Sequence, residues 1–132
     1  MTVFLDTVGL LALWDASDQW HNAAESAFAK LALAPVSFVT TSFVLLECGN
    51  SAARRPYRQA VTRLRERLEA GGSLFTPTDE DWRRAWAAYS TGGPADAGIV
   101  DHVSFVVMRR LGLTQAFTND THFRAAGFQT LF

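Results

Sequence analysis

The sequence predicts an α/β protein, a mainly parallel central sheet with helices on both faces. Two observations carry that prediction: β-favouring runs and helical-period segments alternate along the chain, and 132 residues with 48% apolar side chains hold one globular domain, residues 1–132, and no second.

Val3 to Leu5 is a short β-favouring run that stops at Asp6, and Leu10 to Trp14 follows as a short helix or turn. Asp18 is a candidate N-cap for a helix over Trp20 to Leu33, which ends before Pro35. The β-branched and aromatic run Val36 to Thr40 is the second strand, and Thr41 or Ser42 caps a helix through Glu47. Pro56 suits the first turn of a helix that carries the arginines and stops at Gly71-Gly72. Ser73 to Thr76 is a weaker strand. Thr78-Asp79-Glu80-Asp81 is a capping box that starts a helix through Tyr89. The loop Thr91 to Gly98, with two glycines before Pro94, leads into an apolar helix from Val100 or Asp101 to Leu111, closed by Gly112. Gln115 to Thr118 is the fourth strand, Asp120 to Ala126 a short helix ended by Gly127, and Phe128 to Phe132 the last strand.

Composition narrows the class further. The lone cysteine, Cys48, excludes an internal disulfide and a cysteine-based zinc site, so a reducing, cytoplasmic setting is expected. No apolar run approaches the roughly 18 residues of a membrane span, and the first residues carry no basic leader, so neither insertion nor secretion is expected. The net charge of −1 hides a local asymmetry: Arg54, Arg55, Arg58, Arg63, Arg65 and Arg67 crowd one stretch against Glu66 and Glu69. That stretch is either a solvated helix face or a surface for nucleic-acid phosphates.

In parallel sheets ligands bind at the carboxyl ends of the strands. Applied to this chain, that rule selects Asp6 after strand one, Glu47 in the helix after strand two, Asp101 after the glycine loop and Asp120 after strand four. Any one of them alone has an ordinary reading as a turn or cap residue. Glu47 stands apart, because it interrupts the apolar run Phe43 to Cys48, where an unpartnered carboxylate is costly to bury. Four converging carboxylates repel, so either their pKa values rise or a cation sits among them. An all-oxygen cluster suits Mg2+, with Mn2+ as a substitute, and the matching chemistry is metal-assisted phosphodiester hydrolysis. His21, His102 and His122 share no metal-binding spacing and are read as packing or polar-contact residues. Trp14, Trp20, Trp82 and Trp86 are read as core or interface side chains, Trp82 and Trp86 lying on one helix face.

Four blocks then carry a resemblance: Phe4-Leu5-Asp6-Thr7; Thr40 to Glu47; Val100-Asp101-His102-Val103-Ser104-Phe105 with Met108-Arg109; and Phe117-Thr118-Asn119-Asp120-Thr121-His122-Phe123 with Gly127-Phe128. In order, spacing and length they resemble the PIN-domain ribonucleases, in particular the VapC-type toxins of prokaryotic type II toxin–antitoxin pairs. The likeness spans essentially the whole chain and is most specific from Asp101 to Phe128. It implies a single PIN domain and a metal-dependent endoribonuclease that cuts tRNA, rRNA or mRNA, inhibits translation, and is held in check by a cognate antitoxin. It also implies a homodimer. The family's acids fall on Asp6, Glu47, Asp101 and Asp120, the same four residues that the strand-end rule selects. Thr7 and Ser104 would orient those carboxylates or the metal's water, Asp96 is a candidate extra acid at the mouth, and Arg54, Arg55 and Arg58 are candidate RNA contacts. The chain departs from the family pattern at Val8 and Gly9, where a small polar residue is frequent after Asp-Thr, and at His102, where cysteine is common.

Other classes leave different marks. A haloacid dehalogenase-like phosphate enzyme wants a second Asp two residues after the first, and position 8 is valine. A non-catalytic PIN-like module that binds RNA or protein is expected to lose an acid, and none is lost here. A PIN nuclease outside any toxin pair differs only in its genomic neighbour.

Overall fold

A computed structural model describes the backbone of residues 1–132 and every side chain except that of Ala95. Five strands form one sheet in the order β3-β2-β1-β4-β5, and every pairing is parallel. The strands are β1 Thr2–Leu5, β2 Ser37–Thr41, β3 Leu74–Phe75, β4 Gln115–Phe117 and β5 Gln129–Thr130. The helices are α1 Thr7–Trp14, α2 His21–Ala32, α3 Ser42–Ala52, α4 Arg58–Ala70, α5 Asp79–Ser90, α6 Ile99–Arg110 and α7 Thr121–Ala125, with a single 3-10 turn at Pro94–Asp96.

Successive β1 residues point to opposite faces, and Val3, Phe4 and Leu5 are all buried, so both faces of the sheet are covered. Phe4, Phe117, Phe105 and Phe123 are the bulkiest fully buried side chains of the core, with Phe28 packed edge-on to Phe117. Gly9 explains its own presence in α1. A Cβ there would stand 2.0 Å from the Phe117 carbonyl oxygen, so only glycine lets α1 lie this close to β4.

The predicted elements are all present, with edges moved where tertiary contacts decide them. Asp18 does not cap α2. Its carboxylate accepts from the Trp20 amide in a tight turn, and the N-cap of α2 is Trp20, whose side chain makes no cap bond. Thr41 caps α3 as expected, accepting from the Val44 amide, but the helix runs on past Glu47 to Ala52. Pro56 lies outside α4, and Arg54 and Arg55 occupy the turn between α3 and α4 rather than a helix. Trp82 and Trp86 pack edge to face on one another yet remain 48% and 38% exposed, and Trp20 is exposed as well, so these three are surface rather than core residues.

Candidate active site

The chain leaves β1 for β2 and β3 on one side of the sheet, and returns to the other side of β1 through β4 and β5. The order therefore reverses between β1 and β4, the position where open parallel sheets form a crevice at their carboxyl ends. Asp6 and Asp120 sit at the ends of these two neighbouring strands, Asp6 as N-cap of α1 and Asp120 as N-cap of α7. Asp101 enters from the first turn of α6, and Glu47 from the second turn of α3.

Asp6 is buried, and its Oδ2 accepts from the Thr118 hydroxyl at 2.8 Å and the Val8 amide at 3.3 Å. The same Thr118 oxygen accepts from the Asp120 amide at 3.1 Å, so one hydroxyl ties the ends of β1 and β4 together. Thr7 donates to Glu47 Oε1 at 2.7 Å, which gives the carboxylate in the apolar face of α3 its partner. Asp120 Oδ1 accepts from the His122 amide at 2.9 Å and lies 2.7 Å from His122 Nδ1. That nitrogen is also 4.0 Å from Asp101 Oδ2. One ligand atom from each of Asp101, Asp120 and His122 fits within 4.8 Å.

The electrostatics follow from burial and crowding. Burial, reinforced by the Asp101 and Asp120 charges, pushes the Asp6 carboxyl up to about 7 against the pull of the Thr118 hydrogen bond. Burial also raises Asp101, to about 6, with Asp120 and Glu47 repelling it and His122 acting in the opposite direction. Among the described residues, no lysine or arginine forms an ion pair or hydrogen bond with any of these four acids. A cluster of hard oxygen donors short of positive charge suits a divalent cation, which would supply the missing charge.

The structure thus brings Asp6, Glu47, Asp101 and Asp120 to one crevice, with Thr7 on Glu47. Ser104 is fully buried one turn beyond Asp101, and its Oγ makes no hydrogen bond among the described residues. Asp96 is exposed in the 3-10 turn at a left-handed φ of 61°. Arg54, Arg55 and Arg58 are exposed beyond the far end of α3, about 8 Å of helix past Glu47. Of the residues at the site, Thr118 has no role predicted from the sequence, and His122, expected to make packing or polar contacts, makes them with Asp120. The available signal was the spacing Thr118-x-Asp120-x-His122, in which a cap residue is flanked two positions either side by groups able to reach it.

A parallel sheet with carboxylates gathered at its switch point defines a class, and comparison of the whole chain identifies it. The chain belongs to the PIN domain family, whose model matches residues 3–129. It is 32% identical over 127 residues to the 23S rRNA-specific endonuclease VapC20 of Mycobacterium tuberculosis, covering 96% of this chain and 95% of that one. The crystal structure of the M. tuberculosis VapC20, described as a sarcin-ricin loop cleaving toxin, superposes with a TM-score of 0.78 at 27% identity, over 96% of this chain and 95% of that chain. FitAcB from Neisseria gonorrhoeae shares the fold, with a TM-score of 0.65 at 18% identity over 100% of this chain and 97% of that chain. Among the described residues no helix is long and apolar enough to cross a membrane.

Proposed function

We propose that the protein is a Mg2+-dependent endoribonuclease, the toxin of a type II toxin–antitoxin pair, acting in the cytoplasm on RNA and silenced by a cognate antitoxin. The observation that carries this reading is the convergence of four carboxylates, two of them raised by burial and mutual repulsion, at the switch point of a PIN-domain sheet. The kinship with an rRNA-specific endonuclease favours a structured rRNA segment over tRNA or mRNA as substrate.

Asp6, Asp101 and Asp120 would hold the ion, with Glu47 completing the negative site. Bound there, Mg2+ would offset phosphate charge and lower the pKa of a water for in-line attack, and Mn2+ could replace it. The chain's own part is to hold these carboxylates in place. Thr118 fixes Asp6, and Thr7 fixes Glu47. Arg54, Arg55 and Arg58 would take RNA phosphates at a distance from the cut. The exposed aromatic row Trp82, Trp86 and Tyr89 supports a homodimer, since so small a domain seldom leaves that much apolar surface without a partner.

The test is cleavage of a mixed rRNA and tRNA pool by the purified chain with Mg2+, Mn2+ or EDTA, run beside Asp101→Asn. Metal-dependent cutting of rRNA that vanishes in EDTA and in the variant is the expected result. Equal cutting by the folded variant would end the nuclease reading.

A further inference from the structure

Asp120, like Asp6, takes two donors on one oxygen, but here both come from a single residue: the His122 amide at 2.9 Å and His122 Nδ1 at 2.7 Å meet Oδ1. The amide bond is the ordinary N-cap contact that any residue at this position would make. The ring contact belongs to the histidine. A carboxylate only accepts, so Nδ1 carries the proton in either charge state of the ring, and a protonated nitrogen cannot also ligate a metal.

We propose that His122 is a positioning residue for Asp120: its Nδ1–H locks Oδ1 and so fixes the plane of the carboxylate, leaving Oδ2 as the oxygen these donors do not engage. The need for such a lock is local. Helix α7 has five residues, too short to be rigid by itself, and it is anchored through the buried Phe123 and the bond from the Asp120 amide to Thr118. Those contacts fix the backbone of Asp120 and leave its χ torsions to the cap bond from the residue 122 amide and to the shorter bond from the histidine ring. The same Nδ1 stands 4.0 Å from Asp101 Oδ2, which puts a donor between two acids that would otherwise turn away from one another. Groups that orient metal-binding carboxylates in this way typically change metal affinity by about 10- to 100-fold.

The proposal rests on the metal reading above, and its test separates the two. Mn2+ affinity is measured by titration calorimetry and by the spin-resonance signal of free Mn2+, on the wild type, Asp101→Asn, His122→Asn, His122→Ala and His122→Leu. Asparagine places Nδ2 close to where the histidine has Nδ1, so His122→Asn should bind Mn2+ within about 3-fold of the wild type. His122→Ala and His122→Leu, which lack the donor, should weaken binding about 10-fold or more. Their metal-free melting temperatures report folding separately, and Leu keeps the bulk that Ala removes. Unchanged affinity in Ala and Leu would overturn the proposal, as would an equal loss in Asn, which would make the ring a ligand instead. If the wild type and Asp101→Asn alike take up no Mn2+, the metal reading falls and this one with it. Uptake lost in Asp101→Asn but kept in His122→Leu leaves the metal reading standing and ends this proposal alone.

Discussion

Asp6 and Asp101 hold their protons in the folded chain to about pH 7 and about pH 6, whereas the unfolded chain releases them near 3.8. The linkage sign follows. A carboxyl raised in the folded state adds stability below its unfolded value, and that contribution is lost as pH climbs through the folded value. The metal-free protein should therefore lose stability between about pH 4 and pH 7, and a divalent ion should restore it by neutralising the cluster. Asp6→Asn keeps the cap and the Thr118 contact without the charge. It should flatten the pH profile of metal-free melting and stabilise the protein by roughly 2–4 kcal/mol near pH 8, while abolishing cleavage. A melting temperature that rises with pH in EDTA would show that the cluster is not strained by its own charge. Gly9 makes an opposite kind of demand. Gly9→Ala drives a methyl into the Phe117 carbonyl, a backbone atom with nowhere to go, and should cost about 3 kcal/mol by denaturant unfolding. Since Asp6 caps α1 and α1 leans on β4, the same variant should weaken Mn2+ binding in whatever fraction still folds.

At the scale of elements, α5 and α6 depend on one buried acid. Asp81 closes the capping box of α5 with Thr78 and also receives both Arg110 Nε at 3.0 Å and Arg110 Nη2 at 2.7 Å, so the helix start and the α5–α6 packing share a side chain. The Arg110 guanidinium holds Asp81 below the usual carboxylate range. Arg110→Ala should cost about 2 kcal/mol, less than a fully buried pair would because the guanidinium is half exposed. The exposed pair Arg65–Glu69 is the control, since Arg65→Ala should leave the melting temperature unchanged. This box was legible in the sequence because its chemistry is local, four consecutive residues satisfying one another. The cap at Thr41 and the acids Asp6, Asp101 and Asp120 were legible for the same reason, as each sits where a strand gives way to a helix or where a helix begins, while Glu47 was legible because it interrupts the apolar run Phe43 to Cys48. Asp18 misled because a turn and a cap use the same carboxylate, and only the chain beyond Trp20 decides between them. The hold of Thr118 on Asp6 was not legible because Asp6 arrives from another element, whereas the contacts of Thr118 and His122 with Asp120 are local and left only the spacing Thr118-x-Asp120-x-His122 as a signal. The end of α3 was missed because Cys48 and Ala52 extend it by packing into the core, and the local signals stopped at Glu47.

For the whole molecule, the proposed activity sets an electrostatic problem. The acids converge on the crevice at the carboxyl ends of β1 and β4, while the substrate proposed for it is a polyanion, and a net charge of −1 supplies no general attraction. An RNA substrate would therefore have to be drawn in by cations outside the crevice. The exposed Arg54, Arg55 and Arg58, past the end of α3 that carries Glu47, are suited to that task. They have few competing duties: Arg58 donates to the Ala53 carbonyl, and Arg55 lies near the Asp15 carboxylate at the end of α1. If they hold phosphates, the triple change to alanine raises KM and leaves kcat within about 2-fold, because phosphates far from the cut are gripped equally in the ground and transition states. The salt dependence provides the sharper reading. Each phosphate contact contributes about 0.7 to 0.9 to the slope of log affinity against log salt, so losing three should lower that slope by roughly 2. A variant that binds more weakly with an unchanged slope would place the phosphates elsewhere, on Arg63 to Arg67 of α4. A variant that loses kcat while keeping its slope would mean that this turn supports the fold of α3, and with it Glu47, instead of touching RNA.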